Sequence, residues 1–195
     1  WYMDEKDAND NLTGKRVTTS DYASANYYYV NKSSLPKVYG GFNTSLSWKG
    51  FDLSAIFAYS IGGYIYNRDI TMILHNGSLE GRDWSTEILK RWTPENRYTD
   101  VPALSTTSNN WNSASTRFLQ NNSYMRLKNL TLSYDLPKQW ISKLALSSVQ
   151  VFVQGDNLFT IHRNQGLDPE QGITGITYYR YPAMRTISGG INLSF

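Results

Sequence analysis

The 195-residue chain contains no cysteine, which excludes a disulfide framework and a thiolate metal site. Histidine is almost as scarce. His75 and His162 are the only two, and neither stands in a metal-ligand spacing. With no G-x-S-x-G elbow and no phosphate-binding glycine loop, nothing in the sequence calls for an enzyme, a metal or a cofactor. Glu80, Asp83 and Glu87 share one long polar stretch and read as solvated loop charges rather than a glycosidase pair. Charged residues amount to only 18%, against about 25% in ordinary soluble domains. The lysines and arginines behind the formal net charge of +3 are scattered, without the basic stripe that a nucleic-acid partner needs. No run approaches the roughly 18 apolar residues of a membrane helix, so any membrane span has to be made of strands. The chain opens at Trp1 with neither a Met nor a signal peptide, and is expected to be a processed product or a piece of a longer protein.

What the chain does have is aromatic and small polar side chains. Fifteen Tyr and six Trp bring the aromatic content to 14%, yet the mean hydropathy stays at -0.49. Lowering charge without raising hydropathy requires Asn, Ser, Thr, Gly and Tyr. That mixture suits strands with one apolar face and one wet face, joined by long polar loops.

The pattern along the chain bears this out in period two. Residues 1–37 are polar and turn-rich, with a cluster at Tyr27, Tyr28 and Tyr29, and are expected to form a loop. Over 38–49, Phe42, Thr44, Leu46 and Trp48 share one face. After Gly50, residues 51–62 set Phe51, Leu53, Ala55, Phe57, Tyr59 and Ile61 against Asp52, Ser54, Ile56, Ala58 and Ser60. A long irregular stretch over 63–122 holds one expected short helix, 84–92, stopped by Pro94. A third strand over 123–136 carries Leu130, Leu132, Tyr134 and Leu136 against Asn129, Thr131, Ser133 and Asp135. Next comes a compact turn over 137–147, with one helical turn expected around Trp140. In the fourth strand, 148–161, Val149, Val151 and Val153 oppose Gln150, Phe152, Gln154 and Asp156. A loop over 162–183 leads to the last strand, 184–195.

Connections between these strands alternate in length: one glycine, about sixty residues, about eleven, about twenty-two. Successive connections of an antiparallel sheet fall at opposite ends, so the short ones share one side and the long ones the other. Outer-membrane barrels have this asymmetry, with short periplasmic turns and long extracellular loops, and a soluble sandwich has no reason for it. Trp48, Phe51, Tyr59, Tyr134 and Phe195, near strand ends, would be interfacial girdle residues. Five strands are too few to close a barrel, for which about eight is the practical minimum. An odd number also leaves the first and last strands running the same way, so an odd number of further strands is expected upstream.

At this point the residues resemble a known family. The segments LPKVYGGFNTSLSWKGFDLSAIFAYSIGGYIYN, RFLQNNSYMRLKNLTLSYDLPKQWI, VQVFVQGDNLFTIHRNQGLDPE and YPAMRTISGGINLSF resemble the C-terminal part of the barrel in SusC/RagA-type TonB-dependent outer-membrane transporters of Bacteroidetes. This resemblance, over roughly residues 33 to 195, implies an all-β fold: the last five or so strands of an antiparallel 22-stranded transmembrane barrel. It divides the chain into an extracellular loop (1–37), a strand hairpin (38–62), a long extracellular loop (63–122) and the last three strands (123–195) with their loop 162–183. It also implies import of oligosaccharide or peptide fragments without chemical change. The implied partners are a SusD-like surface lipoprotein, TonB through an N-terminal part that this chain lacks, the barrel-assembly machinery and outer-membrane lipid. A secreted β-sandwich that binds glycans is the alternative expectation.

Three motifs complete the reading. Ile191, Leu193 and the terminal Phe195 alternate along the last strand and resemble the signal read by the barrel-assembly machinery; physically, such a strand can add to another sheet edge. DANDNLTG (7–14) lacks the glycine and the glutamate of a calcium loop and is expected to be a polar turn, and GLDPE (166–170) a structural loop feature. Tyr64, Trp84, Trp92 and Trp111 are the candidates for ligand contact, because aromatic faces among polar neighbours suit sugar rings or peptides.

Overall fold

The computed structural model describes residues 1–195 except 78, 80, 106–110, 143–145, 165, 167 and 171; Glu80 thus lies outside the described residues. Its strands are β1 (Tyr2–Lys6), β2 (Leu12–Thr18), β3 (Pro36–Trp48), β4 (Phe51–Gly62), β5 (Tyr64–Asn67), β6 (Leu119–Asn121), β7 (Tyr124–Asp135), β8 (Ser148–His162), β9 (Ile176–Thr177) and β10 (Thr186–Ser194). Two short helices, α1 (Arg68–Ile73) and α2 (Lys138–Ile141), are joined by 3-10 turns at Thr86–Lys90 and Thr116–Phe118. Among the described residues no helix is long and apolar enough to cross a membrane. The chain forms two compact units. One comprises Trp1–Lys32, Ile65–Leu119 and Ile176–Tyr179; the other comprises Ser33–Tyr64, Gln120–Gly175 and Arg180–Phe195.

The second unit is built on a five-stranded antiparallel sheet in the order β10-β8-β7-β4-β3. Its strands are the five expected from the alternation. β3 turns into β4 through Lys49 (φ 50) and Gly50 (φ 86), a two-residue turn with both residues left-handed, as a tight hairpin of matching twist requires. Register puts like with like. Leu46, Leu53, Leu132 and Val153 form one row across four strands, and Trp48, Phe51, Tyr134, Val151 and Ile191 form another across five. Within these rows Phe42 stacks on Phe57 with centroids 4.7 Å apart, and Phe51 on Tyr134 at 4.4 Å. Each such cross-strand pair contributes about 0.2–1 kcal/mol. The opposite face carries Ser45, Ser54, Thr131, Gln154 and Ser188 in register.

Neither sheet layer nor helix covers the apolar face. Leu46 is 68% exposed, Leu53 39%, Leu132 42%, Val153 47% and Ile191 63%. In water, a contiguous apolar surface of this extent would be far outside what a soluble domain tolerates.

On β7 the alternation differs from the sequence-based expectation. Strict period two from Leu130 and Leu132 would place Lys128, Arg126 and Tyr124 on the apolar face. Instead Ile56 pairs with Asn129 and Phe57 with Leu127, so Lys128 has no partner residue in β4. Opposite it on β8, Asn157 (φ 52) and Leu158 are likewise extra between Asp156 and Phe159. This β-bulge reverses the parity of β7. Leu127 and Met125 now join the apolar face, opposite Phe57 and Tyr59, while Arg126 and Tyr124 turn to the polar one.

Polar-face glycines make room for large side chains. A Cβ on Gly190 would lie 2.8 Å from the Phe152 ring, so Phe152, which breaks the polar pattern of β8, fills the space over a bare glycine on the neighbouring strand.

The first unit is irregular and differs from the expected loops in detail. Within 1–37, β1 and β2 form a hairpin whose turn is held by Asp7, its Oδ1 accepting from the Asn9 and Asn11 amides at 2.8 and 3.0 Å. That accounts for DANDNLTG as a polar turn. The expected helix at 84–92 is shorter, a 3-10 turn at Thr86–Lys90 whose first amides are capped by Ser85. Leu74, Ile88, Val101 and Trp111 form the small core of this unit, with Ile70 packed against it.

Candidate functional site

Two constructions stand out, one in each unit. In the sheet unit, the parity switch at Lys128 aims Arg126 at the loop between β8 and β10. Its side chain is 3% exposed and satisfied on every side: Nε donates to Thr160 Oγ1 at 2.9 Å, Nη1 to Glu170 Oε2 at 2.9 Å and Nη2 to Asp168 Oδ1 at 2.5 Å. Lys128 Nζ meets the same Glu170 oxygen at 2.7 Å. Asp168, 7% exposed, also accepts from the Glu170 amide at 2.8 Å and from the Ala183 amide at 2.7 Å.

One carboxylate therefore ties the middle of the loop, its far end and the sheet together. Burial pushes the Asp168 carboxyl up, but the two amides and Arg126 outweigh it and hold it below the ordinary carboxylate value. A cavity of about 370 Å³ lies beside this clasp, lined by Arg126, Asp168, Thr160, His162 and Arg180 among others. GLDPE is the structural loop element that the sequence suggested, with Asp168 and Glu170 as its working parts.

In the other unit lies a wider cleft of about 880 Å³. Tyr22, Tyr27, Tyr28, Tyr29, Tyr66 and Trp111 supply most of its apolar surface, and Arg16 and Arg117 its charge. Both guanidiniums stack on rings of the cleft, Arg16 3.9 Å from the Tyr28 centroid and Arg117 4.7 Å from that of Trp111. Tyr28 is fixed in turn by its hydroxyl, which donates to Asp4 Oδ1 at 2.8 Å.

The four aromatic candidates from the sequence do not share a site. Only Trp111 lines this cleft, and at 9% exposure it is also part of the small core. Trp84, 45% exposed, donates from Nε1 to His75 Nδ1 at 3.0 Å. Trp92 is anchored through its amide to the Val101 carbonyl at 2.8 Å. Tyr64 opens β5 in the sheet unit, half-buried, its amide donating to the Ser33 carbonyl at 2.8 Å. Of the loop carboxylates, Glu87 is paired with Lys90 at 2.7 Å and Asp83 is exposed. Ile191, Leu193 and Phe195 lie on or just after β10, an edge strand, and are 63%, 52% and 90% exposed.

Missed by the sequence reading were Arg16, Tyr22, Arg117 and Arg126. A signal existed for one: Arg126 is the only arginine in β7, among otherwise amphipathic strand residues.

An antiparallel sheet with one bare apolar face, one polar face and loops clasped to the polar side defines a class: a segment of β-barrel wall. Comparison with known proteins narrows it. No family model matches the chain. TonB-dependent receptor P3 of Formosa agariphila is 33% identical over 166 residues, which are 80% of this chain and 16% of that receptor. TonB-dependent receptor SusC of Bacteroides thetaiotaomicron is 27% identical over 86% of this chain and 16% of its own length. Among solved structures, a chain of the RagAB peptide importer in its closed-closed state superposes with a TM-score of 0.80 at 35% identity, over 100% of this chain and 21% of that one. The chain is a barrel segment of the SusC/RagA-type TonB-dependent receptors, and it spans about a sixth of the length of the curated relatives it matches.

Proposed function

We propose that the protein to which this chain belongs imports oligosaccharides or peptides across the outer membrane of a Gram-negative bacterium, this chain forming the C-terminal barrel wall and its extracellular loops. One observation carries the reading: the uncovered apolar face, with Leu46, Leu53, Leu132 and Val153 in a single row. Lipid solvates such a face, whereas a β-sandwich would bury it against a second sheet. In this reading β3 and β10, the two sheet edges, pair with further strands of the full receptor, since an open edge is not tolerated in lipid. Ile191, Leu193 and Phe195 on the last strand serve as the barrel-assembly signal. A SusD-like surface lipoprotein caps the outer side, and TonB acts through the N-terminal part. The resemblance to SusC and to the RagAB peptide importer supports both partners and both ligand classes. The substrate is moved without chemical change. The aromatic cleft, with Trp111, is its first contact, and Tyr64, Trp84 and Trp92 offer further surfaces.

The test is made on the full-length receptor in its native host. Expected are recovery in the outer-membrane fraction, different gel migration of boiled and unboiled samples, and loss of uptake of one oligosaccharide or peptide class on deletion. Recovery in the soluble fraction with equal migration would instead favour a secreted glycan-binding sandwich.

A further inference from the structure

The aromatic cleft has a one-sided charge. Arg16 and Arg117 line it, and among the described residues no Asp or Glu does. Asp4, which faces Arg16 across the β1–β2 hairpin, is engaged by the Tyr28 hydroxyl. Arg117 donates from Nη1 to the Asp100 carbonyl at 2.6 Å, and neither arginine has a carboxylate within salt-bridge distance among the described residues. Stacking on Tyr28 and Trp111 holds each guanidinium plane against a ring and leaves N–H edges for a planar anion.

The apolar lining is equally selective. It consists mainly of flat rings, with Tyr27 and Tyr29 93% and 92% exposed, and offers few aliphatic side chains to shape holes for peptide side chains. Flat rings match the C–H faces of pyranoses. A volume of about 880 Å³ accommodates several sugar units.

We propose that this cleft binds an oligosaccharide bearing carboxylates, its sugar rings on the tyrosine faces and its carboxylates on Arg16 and Arg117. The inference rests on the import reading for its biological use but is tested by binding alone. Detergent-solubilised full-length receptor is titrated calorimetrically with tetragalacturonate, with the neutral tetrasaccharide galactotetraose, and with an acidic tetrapeptide. The uronate is expected to bind at least about tenfold more tightly than either, with an affinity that falls as salt rises. Arg16→Gln and Arg117→Gln, both at exposed positions, should each weaken uronate binding about tenfold, the loss of one charge-assisted hydrogen bond, and leave any neutral binding unchanged. Arg117→Lys should restore part of the loss. Equal affinity for charged and neutral sugars, tighter binding of the peptide, or variants that bind like the parent would each overturn the proposal. Loss of receptor-dependent uptake of every ligand class, with uronate binding intact, would count against the import reading and leave this one standing.

Discussion

Replacing Asp168 by alanine should release the loop between β8 and β10 from the sheet while leaving the barrel wall assembled. The parent carboxylate takes one guanidinium N–H and two backbone amides, and both it and Arg126 are almost fully buried, at 7% and 3% exposure. Breaking a buried ion pair from one side destabilises by about 3–5 kcal/mol, since the surviving charge is left uncompensated. Here Glu170 stays on Arg126 at 2.9 Å, so the lower end applies, about 3 kcal/mol. That energy corresponds to roughly a 150-fold rise in the local opening equilibrium. Hydrogen–deuterium exchange read on loop peptides around Glu170 and Ala183 in the full-length receptor measures it directly. Asp168→Asn keeps an acceptor and loses the charge, and should give a smaller rise, about tenfold. Glu170→Ala, at a position 36% exposed, should cost less than about 1 kcal/mol. The sign with pH follows from the lowered Asp168 pKa: the unfolded loop binds the proton more tightly, so the stabilisation is complete above the ordinary carboxylate range and lost as pH falls below about 4. Exchange that changes less than about threefold in Asp168→Ala would refute the clasp and place the loop's anchorage elsewhere.

Three further outcomes test other parts. Leu132→Arg on the apolar row should destabilise the full-length barrel by about 2–4 kcal/mol, visible as loss of the heat-modifiable band, while Ser45→Arg on the polar face is tolerated; equal effects would contradict the face assignment. Deleting Lys128 restores strict alternation on β7 and drives Arg126 toward the apolar face, so the receptor should fail to assemble; normal assembly would show that the bulge is dispensable. His75 is buried, and its Nδ1 accepts from Trp84 Nε1 and from the Gly77 and Leu79 amides. Burial lowers its pKa against the opposing Arg82 carbonyl. The neutral ring is therefore stabilising above about pH 6.5, and that stabilisation is lost as pH falls; exchange over 75–84, corrected for intrinsic rates, should rise toward pH 5 and stay level in His75→Ala.

Strands were legible where the environment is repetitive. Along β4 every second residue from Phe51 to Ile61 faces the same medium, and a dozen residues of period two leave little room for another reading. The hairpin at Lys49 and Gly50 was readable for the same reason, as a single glycine between two such runs. Nothing local announces the bulge at Lys128. MRLKN can be read in either parity, and the choice is made by Phe57 and Phe159 on the neighbouring strands, far away in sequence. The β1–β2 hairpin escaped because YMDEK lacks alternation, and its stability comes from pairing and the Asp7 turn. Candidate ligand residues fared unevenly because a tryptophan in a loop can pack, cap or contact. Trp111 does the first, Trp84 is held by a histidine nine positions away, and only the fold tells them apart.

The bulge gives the loop clasp its physical logic. A guanidinium on β7 facing lipid would be unstable by several kcal/mol, and one facing water on a barrel lumen would be free to move. By reversing parity over one residue, the strand turns Arg126 to the polar side without giving up the apolar row, because Leu127 and Met125 take the vacated face. Lys128 adds a second cation within reach of Glu170. The acidic pair then has to come from elsewhere, and Asp168 and Glu170 arrive from the loop itself, forty-two residues beyond their partners. The loop between β8 and β10 is thus long because it folds back onto the polar face and is fastened there. Its length serves to place Pro182, Ala183 and Arg180 around the cavity next to the wall, where a passing ligand would meet them.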